Sequence, residues 1–331
     1  MTVTINACSL ADLPDMLDLL VEDARQRHTE NPVLWAFDGS TRDRIEAILR
    51  KSFEDDNPPV KELWLMAKDG RKPVGLTHAI IVPVPPIYDI ETPPGLMLDE
   101  CFVSEDAQED TIGELIRATE SALRDVGAEN FIASCCTGSP WKPVLEKNGY
   151  EAVTLFMSKN GFQEKEIVPP VAVATAEDIP GIISRSAEHR NNLFEANPKF
   201  WNIHANADEI FEKWMRISLT LTDRTMLVAK DAGRVDGYII AQPVTPVQMP
   251  MAHDPHGLGV IDDFYHIDFE NRSDIRNGGA EAADLFTAAE GAFARNKVRA
   301  TLVVCPDNWR SKKQFLESQG YTTAKTWLLK A

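Results

Sequence analysis

The chain has 331 residues, of which 44% are hydrophobic and 26% are charged, as in an ordinary globular protein. Its formal net charge of −17 argues against a nucleic-acid partner, which would require clustered lysine and arginine, and fits a cationic partner better. The sequence has no apolar run of the roughly 18 residues needed to cross a bilayer and no signal-peptide pattern, so we expect a cytoplasmic protein without a membrane partner.

Hydrophobic periodicity predicts the elements of the first half. In chain order they are helices over residues 10–27 and 41–53, strands over 62–68, 74–82 and 96–103, a long helix over 111–126, a strand over 130–134, a short helix ending at Gly149 and a strand over 151–158. A proline-rich segment, residues 83–94, interrupts the strands because proline cannot continue a central strand.

The second half repeats this order. Its predicted elements are helices over residues 178–192 and 207–219, strands over 225–230, 235–241 and 258–266, a helix over 279–296, a strand over 301–305, a short helix ending at Gly320 and a strand over 322–329. Residues 243–255 form the matching proline-rich segment. Short motifs also return: Asn31, Pro32 and Trp35 return as Asn197, Pro198 and Trp201.

A repeat of about half the chain is too long for a solenoid, whose units have about 20–50 residues, and the chain is long enough for two cores. We therefore predict two similar domains in tandem. They cover residues 1–162 and 171–331, with a linker over residues 163–170.

The stretch from Asp99 to Val103 leads through Gln108, Thr111 and Gly113 into the long helix of the first half. This order of elements resembles the GNAT superfamily of acyl-CoA-dependent N-acetyltransferases, whose members open this helix with Gln or Arg, two residues, Gly, one residue, and Gly or Ala. Thr111 stands where glycine is usual. The resemblance covers both halves and implies an α/β (α+β) fold of two GNAT-like domains, each a mixed, mostly antiparallel sheet flanked by helices.

The resemblance implies acetyl-CoA (coenzyme A) as the cofactor. A helix start offers free amides and a positive dipole end, which suits a diphosphate. In the first half the cofactor-binding candidates are Phe102, Val103, Gln108, Thr111, Ile112 and Gly113. In the second half, where the loop is longer and a surface turn is the alternative, they are Tyr265, Arg276, Gly278 and Gly279. The first half is the better candidate because its loop keeps the family length.

Transfer to an amine needs a base, and the resemblance points to carboxylates on the strand before the long helix. These are Asp99 and Glu100 or, alternatively, Asp262 and Asp263. One of each adjacent pair should face the cleft, since strand side chains alternate. The alternative is that they are solvated strand-end charges.

The general acid stays open, because the family's usual tyrosine position holds Leu145 and Leu316. Tyr150 and Tyr321 occupy a position that is usually core, so we expect them to pack. The repeated Asn-Pro and Trp either contact the acceptor or form a buried indole beside a turn.

No metal site is expected. The cysteines are an odd number without paired spacing, which favours reduced, packed thiols, although the adjacent pair Cys135 and Cys136 leaves a redox role open. His28, His204 and His266 are isolated in the sequence, and we expect surface or capping roles for them.

The leading hypothesis is an acetyl-CoA-dependent N-acetyltransferase that acetylates a primary amine of a small molecule or peptide by direct attack, and one domain need not be active. The alternative is a catalytically degenerate pair that acts as an acyl-CoA-binding or regulatory module. The sequence leaves open the acceptor and the choice between monomer and homodimer.

Overall fold

The computed structural model describes residues 3–55, 58, 60–83, 85–245 and 248–331. The elements of the first half are β1 (Val3–Ala7), α1 (Leu13–Glu30), α2 (Thr41–Glu54), β2 (Glu62–Asp69), β3 (Lys72–Ile81), β4 (Gly95–Met97), β5 (Phe102–Val103), α3 (Thr111–Asp125), β6 (Phe131–Cys136), α4 (Trp141–Lys147) and β7 (Glu151–Asn160). The helices predicted from the sequence are all present, with ends that differ by a few residues.

The second half has the same order. Its elements are β8 (Val171–Val173), α5 (Ile179–Ala196), α6 (Ala207–Ser218), β9 (Thr225–Asp231), β10 (Arg234–Pro243), β11 (Leu258–Ile261), β12 (Phe264–His266), α7 (Ala280–Arg295), β13 (Ala300–Pro306), α8 (Arg310–Ser318) and β14 (Thr322–Lys330). Short 3-10 turns precede α1, α5 and α7. The strands β1 and β8, which the periodicity did not predict, are short and form the two ends of the sheet.

Two predicted strands are wrong in one respect, because residues 96–103 and 258–266 each form two short strands. In the first half β4 pairs with both β3 and β6, whereas β5 pairs with β3. In the second half β11 pairs with β10 and β13, and β12 pairs with β10. After β4 the chain no longer pairs with β6, and after β11 it no longer pairs with β13. This loss of pairing opens a gap in the sheet beside β5 and another beside β12.

All strands belong to one sheet in which the last strand of each half is exchanged. The order is β1-β2-β3-β4-β6-β14-β7-β13-β11-β10-β9-β8, with β5 and β12 beside β3 and β10. Thus β14 of the second half lies between β6 and β7 of the first, and β7 pairs with β13 of the second. The two halves therefore share main-chain hydrogen bonds across the centre of the sheet.

The proline-rich segments also cross between the halves. In the first, Tyr88 forms a bridge with Ile203, and the His204 amide donates to the Ile87 carbonyl at 3.0 Å. In the second, the Met251 amide donates to Glu100 Oε1 at 2.6 Å. Each segment therefore covers part of the opposite half.

Helix α3 packs closely against the first half of the sheet. Its side chains Leu115, Ile116 and Leu123 are fully buried, each contributing about 1.5–3 kcal/mol of hydrophobic stabilisation. Glycine permits this approach, since a Cβ at Gly95 would lie 2.7 Å from Leu123 Cδ1 and one at Gly75 would lie 2.9 Å from Leu115 Cδ1. This packing fixes the start of α3 beside the gap next to β5.

Candidate functional site

The gap between β5 and β6 holds a cavity of about 670 Å³. Its walls come from α1, the chain between β4 and α3, β6 and the start of α4. Five of the residues predicted from the sequence line it: Asp99, Phe102, Val103, Gln108 and Ile112. The structure therefore brings a predicted base and most of the first-half cofactor candidates to one opening.

The start of α3 lies at this cavity. The Thr111 amide donates to the Gln108 carbonyl at 3.0 Å, whereas Ile112 and Gly113 hold the second and third positions, whose amides have no intrahelical acceptor. Thr111 and Gly113 do not line the cavity themselves. The Asp110 carboxylate at this helix start pairs with Arg117 at 2.9 Å, which offsets part of its charge. The helix start can thus receive an anion through main-chain amides.

Asp99 is held by both halves of the chain. Its Oδ1 accepts from Ser134 Oγ at 2.6 Å, and its Oδ2 accepts from Lys325 Nζ at 2.8 Å. Both ends of the ion pair are buried, with 5% of each side chain exposed. Lys325 lies on β14, so the exchanged strand places a second-half cation in the first-half site.

Glu100, the other predicted carboxylate, does not line the cavity. Its Oε2 lies 3.4 Å from His78 Nδ1, and the His78 ring stacks on Trp64 with ring centres 3.8 Å apart. Burial alone would raise the pKa of Glu100, but the hydrogen bond and charge of His78, the Arg27 charge and the Met251 amide together outweigh it and lower that pKa to about 2. Glu100 is therefore a fixed anion that ties down the segment containing Met251.

Sequence reasoning missed a second acidic group in the cavity wall. Asp23 and Arg27 lie on α1 with 2.7 Å between Oδ2 and Nη1, and both line the cavity. Burial raises the pKa of Asp23 to about 7, in spite of the nearby Arg27 charge. Arg27 also donates to the Asp99 carbonyl at 2.7 Å and to Nε2 of His253, a second-half residue, at 3.1 Å. A carboxylate that titrates near neutral pH thus stands beside Asp99.

The two tyrosines after the repeated glycines do not reach the cavity. The Tyr150 hydroxyl donates to Glu120 at 3.1 Å, and the Tyr321 hydroxyl donates to Glu290 at 2.9 Å, in agreement with the expected packing role. A different aromatic group lines the cavity, namely Trp141 at the start of α4, whose buried Nε1 has no hydrogen-bond partner within the described residues. An indole N–H can donate a hydrogen bond to a ligand but does not serve as a proton acid at neutral pH.

In the second half the equivalent gap is filled by side chains. Lys312 lies four residues before Leu316, as Trp141 lies before Leu145, and it is fully buried. Its Nζ donates to the Phe264 carbonyl on β12 at 2.8 Å and lies 4.4 Å from the centre of the Trp309 ring. Burial lowers the pKa of Lys312 to about 7. The main chain of β12 is therefore engaged by the protein itself.

The start of α7 is also occupied, by a carboxylate of the protein itself. The buried Asp268 carboxylate accepts from the Ala282 amide, the third of the helix, at 3.2 Å, so an internal anion takes the place that suits a phosphate. His266 accepts from the Asp268 amide at 3.1 Å, which is the capping role expected for it. It is not isolated in space, however, because the carboxylates of Asp268 and Glu281 lie 3.3 and 3.9 Å from its ring nitrogens.

The second-half cofactor candidates lie apart from both large cavities, since none of them lines either one. They are Tyr265, Arg276, Gly278 and Gly279. Tyr265 is fully buried, and a Cβ at Gly279 would lie 2.5 Å from Ile275 Cδ1, while Gly278 and Gly279 have φ of 65° and 74° in the turn before α7.

A second cavity, of about 510 Å³, lies on the other side of the filled gap. It is lined by α5, α6, β10, β13 and the first proline-rich segment, and it contains Asp262 and Asp263. The repeated tryptophans differ between the halves, because Trp35 is buried in the core whereas Trp201 lines this cavity. In each half, the asparagine of the repeated Asn-Pro motif fixes the turn before the tryptophan, because its side-chain oxygen accepts from the amide three residues later.

Comparisons with known proteins identify this architecture. No family model matches the sequence, and no curated protein matches it. Several solved structures align with 99% of this chain, among them the following two. One is a tandem GNAT protein from the clavulanic acid biosynthesis pathway, with a TM-score of 0.50, 11% identity and 97% of that chain covered. The other is a GCN5-related N-acetyltransferase from Sphaerobacter thermophilus, with a TM-score of 0.55, 16% identity and 95% covered.

The sheet and these similarities define an α/β protein built of two similar halves. More specifically, the chain has the tandem GNAT fold, which confirms the fold class predicted from the sequence. Within the described residues, no helix combines the length and apolar composition of a membrane span, and all five cysteines are free thiols.

Proposed function

We propose that this protein is an acyl-CoA-dependent N-acyltransferase and that its first half holds the cofactor. The single observation that carries the proposal is the open gap beside β5, where a cavity of about 670 Å³ meets the start of α3 and a buried carboxylate. The corresponding gap in the second half is closed by Lys312 and Trp309. Acetyl-CoA is the proposed form of the cofactor, because the fold is shared with acetyltransferases.

The residues present fit the chemical groups of coenzyme A. The amide of Ile112, at the start of α3, suits the diphosphate. The edge of β5 at Phe102 and Val103 that faces away from β3 pairs with no strand within the described residues and suits the amide groups of the pantetheine arm as an added strand. The Trp141 N–H, which has no partner within the described residues, offers a further donor. When bound, acetyl-CoA supplies an activated acyl group to the amine.

For proton transfer we propose Asp23 as the base. The oxygens of Asp99 already accept from Ser134 and Lys325. Asp23 is paired with Arg27, but burial raises its pKa to about 7, which keeps part of this group ionised at neutral pH. Asp23 would take the ammonium proton of the amine before attack, and the second N–H proton, released as the carbon–nitrogen bond forms and the carbon–sulfur bond breaks, would pass through water to the departing sulfur. Asp99 and Lys325 fix the geometry around the reacting nitrogen.

The acceptor is proposed to be a cationic primary amine of a small molecule or peptide. Three glutamates, Glu30, Glu105 and Glu109, line the cavity, and the chain as a whole carries a net charge of −17. Such a surface attracts an ammonium group before it reaches the base.

The alternative, an acyl-CoA-binding module without transfer, is favoured by two observations. Asp99 stands in a buried ion pair with Lys325, and the family's phenol position holds the buried Leu145. Such a site could bind acyl-CoA and transmit its presence through the shared sheet.

Isothermal titration with acetyl-CoA tests the assignment of the cofactor to the first half. We expect one site per chain. Glu109→Gln removes a negative charge beside the helix start and should tighten binding by about 0.3–1 kcal/mol, roughly two- to fivefold, whereas the matched Glu281→Gln at the start of α7 should leave it unchanged. Two equal sites, or no binding, would overturn the assignment.

Thiol release over a panel of primary amines tests the chemistry. Asp23→Asn should bind acetyl-CoA as the wild type does but lose about 100-fold or more in turnover, whereas the exposed Asp18→Asn on the same helix should keep full turnover. Tight cofactor binding without thiol release from any amine would support the binding module instead.

A further inference from the structure

The second cavity, of about 510 Å³, has no part in the proposed transfer reaction. No side chain lines both it and the first cavity. The two openings lie on one face of the sheet. Ser134 lines the first cavity and Thr154 lines the second, and both pair directly with Trp327 of β14, which lies between β6 and β7. Lys325 and Phe156 form the next row, with 4.8 Å between Nζ and the ring centre, and separate the cavities. The second cavity is thus an independent site.

Its polar end is formed by two neighbouring carboxylates with different partners. Asp263 accepts from the Tyr238 hydroxyl at 2.6 Å and lies 3.4 Å from His189 Nδ1. Asp262 accepts from Gln242 Nε2 at 2.9 Å and takes part in no ion pair within the described residues, although the Arg224 charge acts on it and offsets part of the rise in its pKa that burial causes. Asp262 is therefore a cavity-lining carboxylate without a cation at ion-pair distance.

The cations around this cavity are engaged elsewhere. Arg190 pairs with Asp208. Arg224 lies 3.7 Å from Asp223 and donates to Ser218 Oγ at 3.1 Å, although its buried Nε has no hydrogen-bond partner within the described residues. Burial lowers the pKa of His189 to about 4, so this imidazole is neutral at pH 7. Neither Arg190 nor Arg224 therefore forms an ion pair with Asp262 or Asp263.

The remaining walls are apolar and aromatic. Tyr88, Trp201, Phe211 and Trp214 line the cavity together with aliphatic side chains. Trp214, Ile217 and Leu221 are exposed by 38%, 58% and 40%, although they are large hydrophobic residues. Aromatic faces attract cations and also bury apolar groups, so this wall complements an ammonium compound with an apolar body.

We propose that the second-half cavity is a binding site for a primary ammonium compound with an aromatic or aliphatic body, which pairs with Asp262 and is held without transfer of any group. Because Lys312 and Asp268 occupy the gap and the helix start that an acyl donor would need, the site lacks a route for chemistry. The second-half cavity is therefore a ligand-sensing site, in the half whose gap beside β12 is filled by side chains.

Phenethylamine and 2-phenylethanol are the matched probes, because they share the ring and chain length and differ in charge. The full chain is titrated with each probe in the absence of acetyl-CoA, and binding is measured by calorimetry and tryptophan fluorescence. We expect phenethylamine to bind at least tenfold more tightly than the alcohol. Asp262→Asn should weaken phenethylamine at least tenfold, whereas Asp284→Asn, the same charge change at an exposed site, should not. Trp214→Ala should weaken both probes.

Two results would overturn the inference. One is equal affinity for the amine and the alcohol, or an Asp262→Asn variant with wild-type affinity and unchanged thermal unfolding. The other is acylation of phenethylamine that Asp262→Asn abolishes, since the cavity would then be an acceptor site. Failure here is distinguishable from failure of the proposed function, because the titration needs no cofactor and Asp262→Asn changes the second cavity alone, whereas Asp23→Asn tests thiol release at the first.

Discussion

The buried pair between Asp99 and Lys325 should control the stability of the whole chain. Its oxygen and nitrogen are 2.8 Å apart, and 5% of each side chain is exposed. At an effective dielectric constant of about 20, this separation corresponds to an attraction of about 6 kcal/mol, part of which offsets desolvation. Lys325→Met leaves Asp99 buried with only the neutral groups of Ser134 and Cys136 as side-chain partners within the described residues, and we expect a loss of about 3–5 kcal/mol in unfolding free energy.

A double-mutant cycle separates the pair from its surroundings. Asp99→Asn alone should also cost about 3–5 kcal/mol, but the double variant should be more stable than the sum of the two losses implies, by at least about 2 kcal/mol, because no unpaired charge remains. Urea unfolding at pH 8, followed by circular dichroism and tryptophan fluorescence, measures these values. The control is Lys313→Met, whose more exposed contact with Asp307 spans 3.9 Å and should contribute at most about 1 kcal/mol. Additive losses, or a loss below about 1 kcal/mol for Lys325→Met, would refute the reasoning.

Other substitutions test single contacts. Gly237→Ala places a Cβ 2.3 Å from His266 Cδ2 and should lower the unfolding free energy in urea by about 1–3 kcal/mol, whereas Gly39→Ala, with open space around the Cβ, should be neutral or stabilising by up to about 1 kcal/mol. Burial lowers the pKa of His253 to about 3, below the roughly 6.5 of an unfolded histidine, so the unfolded state binds the extra proton and stability falls as the pH drops below 6.5. His253→Asn should remove about 1.4 kcal/mol per pH unit from this slope between pH 6.5 and 5, and an unchanged slope would contradict the assignment. Burial raises the pKa of Asp262 to about 6, so phenethylamine affinity should rise from pH 5 to 7 and then level off, and a flat profile would count against pairing with Asp262.

The element order could be predicted from the sequence because it depends on local patterns. Three- and four-residue spacing of apolar residues locates the helices, and glycines mark the ends of the short ones. The breaks at Asp99 and Asp262 could not be found in this way, since a strand that loses one of its two neighbours keeps its hydrophobic pattern. The exchange of β7 and β14 was also hidden, because pairings such as Ser134 with Trp327 join residues far apart in the sequence.

The sequence predicts the residues of the candidate site that belong to a local motif. It does not predict those that the exchanged strand β14 brings from the other half. Asp99 was found from its strand, but Lys325 reaches it from the opposite half of the chain. Asp23 and Arg27 did leave a signal, because their spacing from the buried Leu20 puts two charges on the apolar face of α1. A charged pair on such a face indicates a paired or functional group, since burial of an isolated charge is costly.

The exchanged strand and the crossed segments explain why two unequal halves remain in one chain. The first-half cavity depends on Lys325 for its ion pair with Asp99, on His253 for a partner of Arg27 and on Met251 for a donor to Glu100. All three belong to the second half. Loss of that half would leave buried charges unpaired at the proposed catalytic centre, whereas the side chains that fill the gap beside β12 take part in none of these contacts. Under the proposed function, the second half can lack acyl-donor binding but cannot lose its last strand.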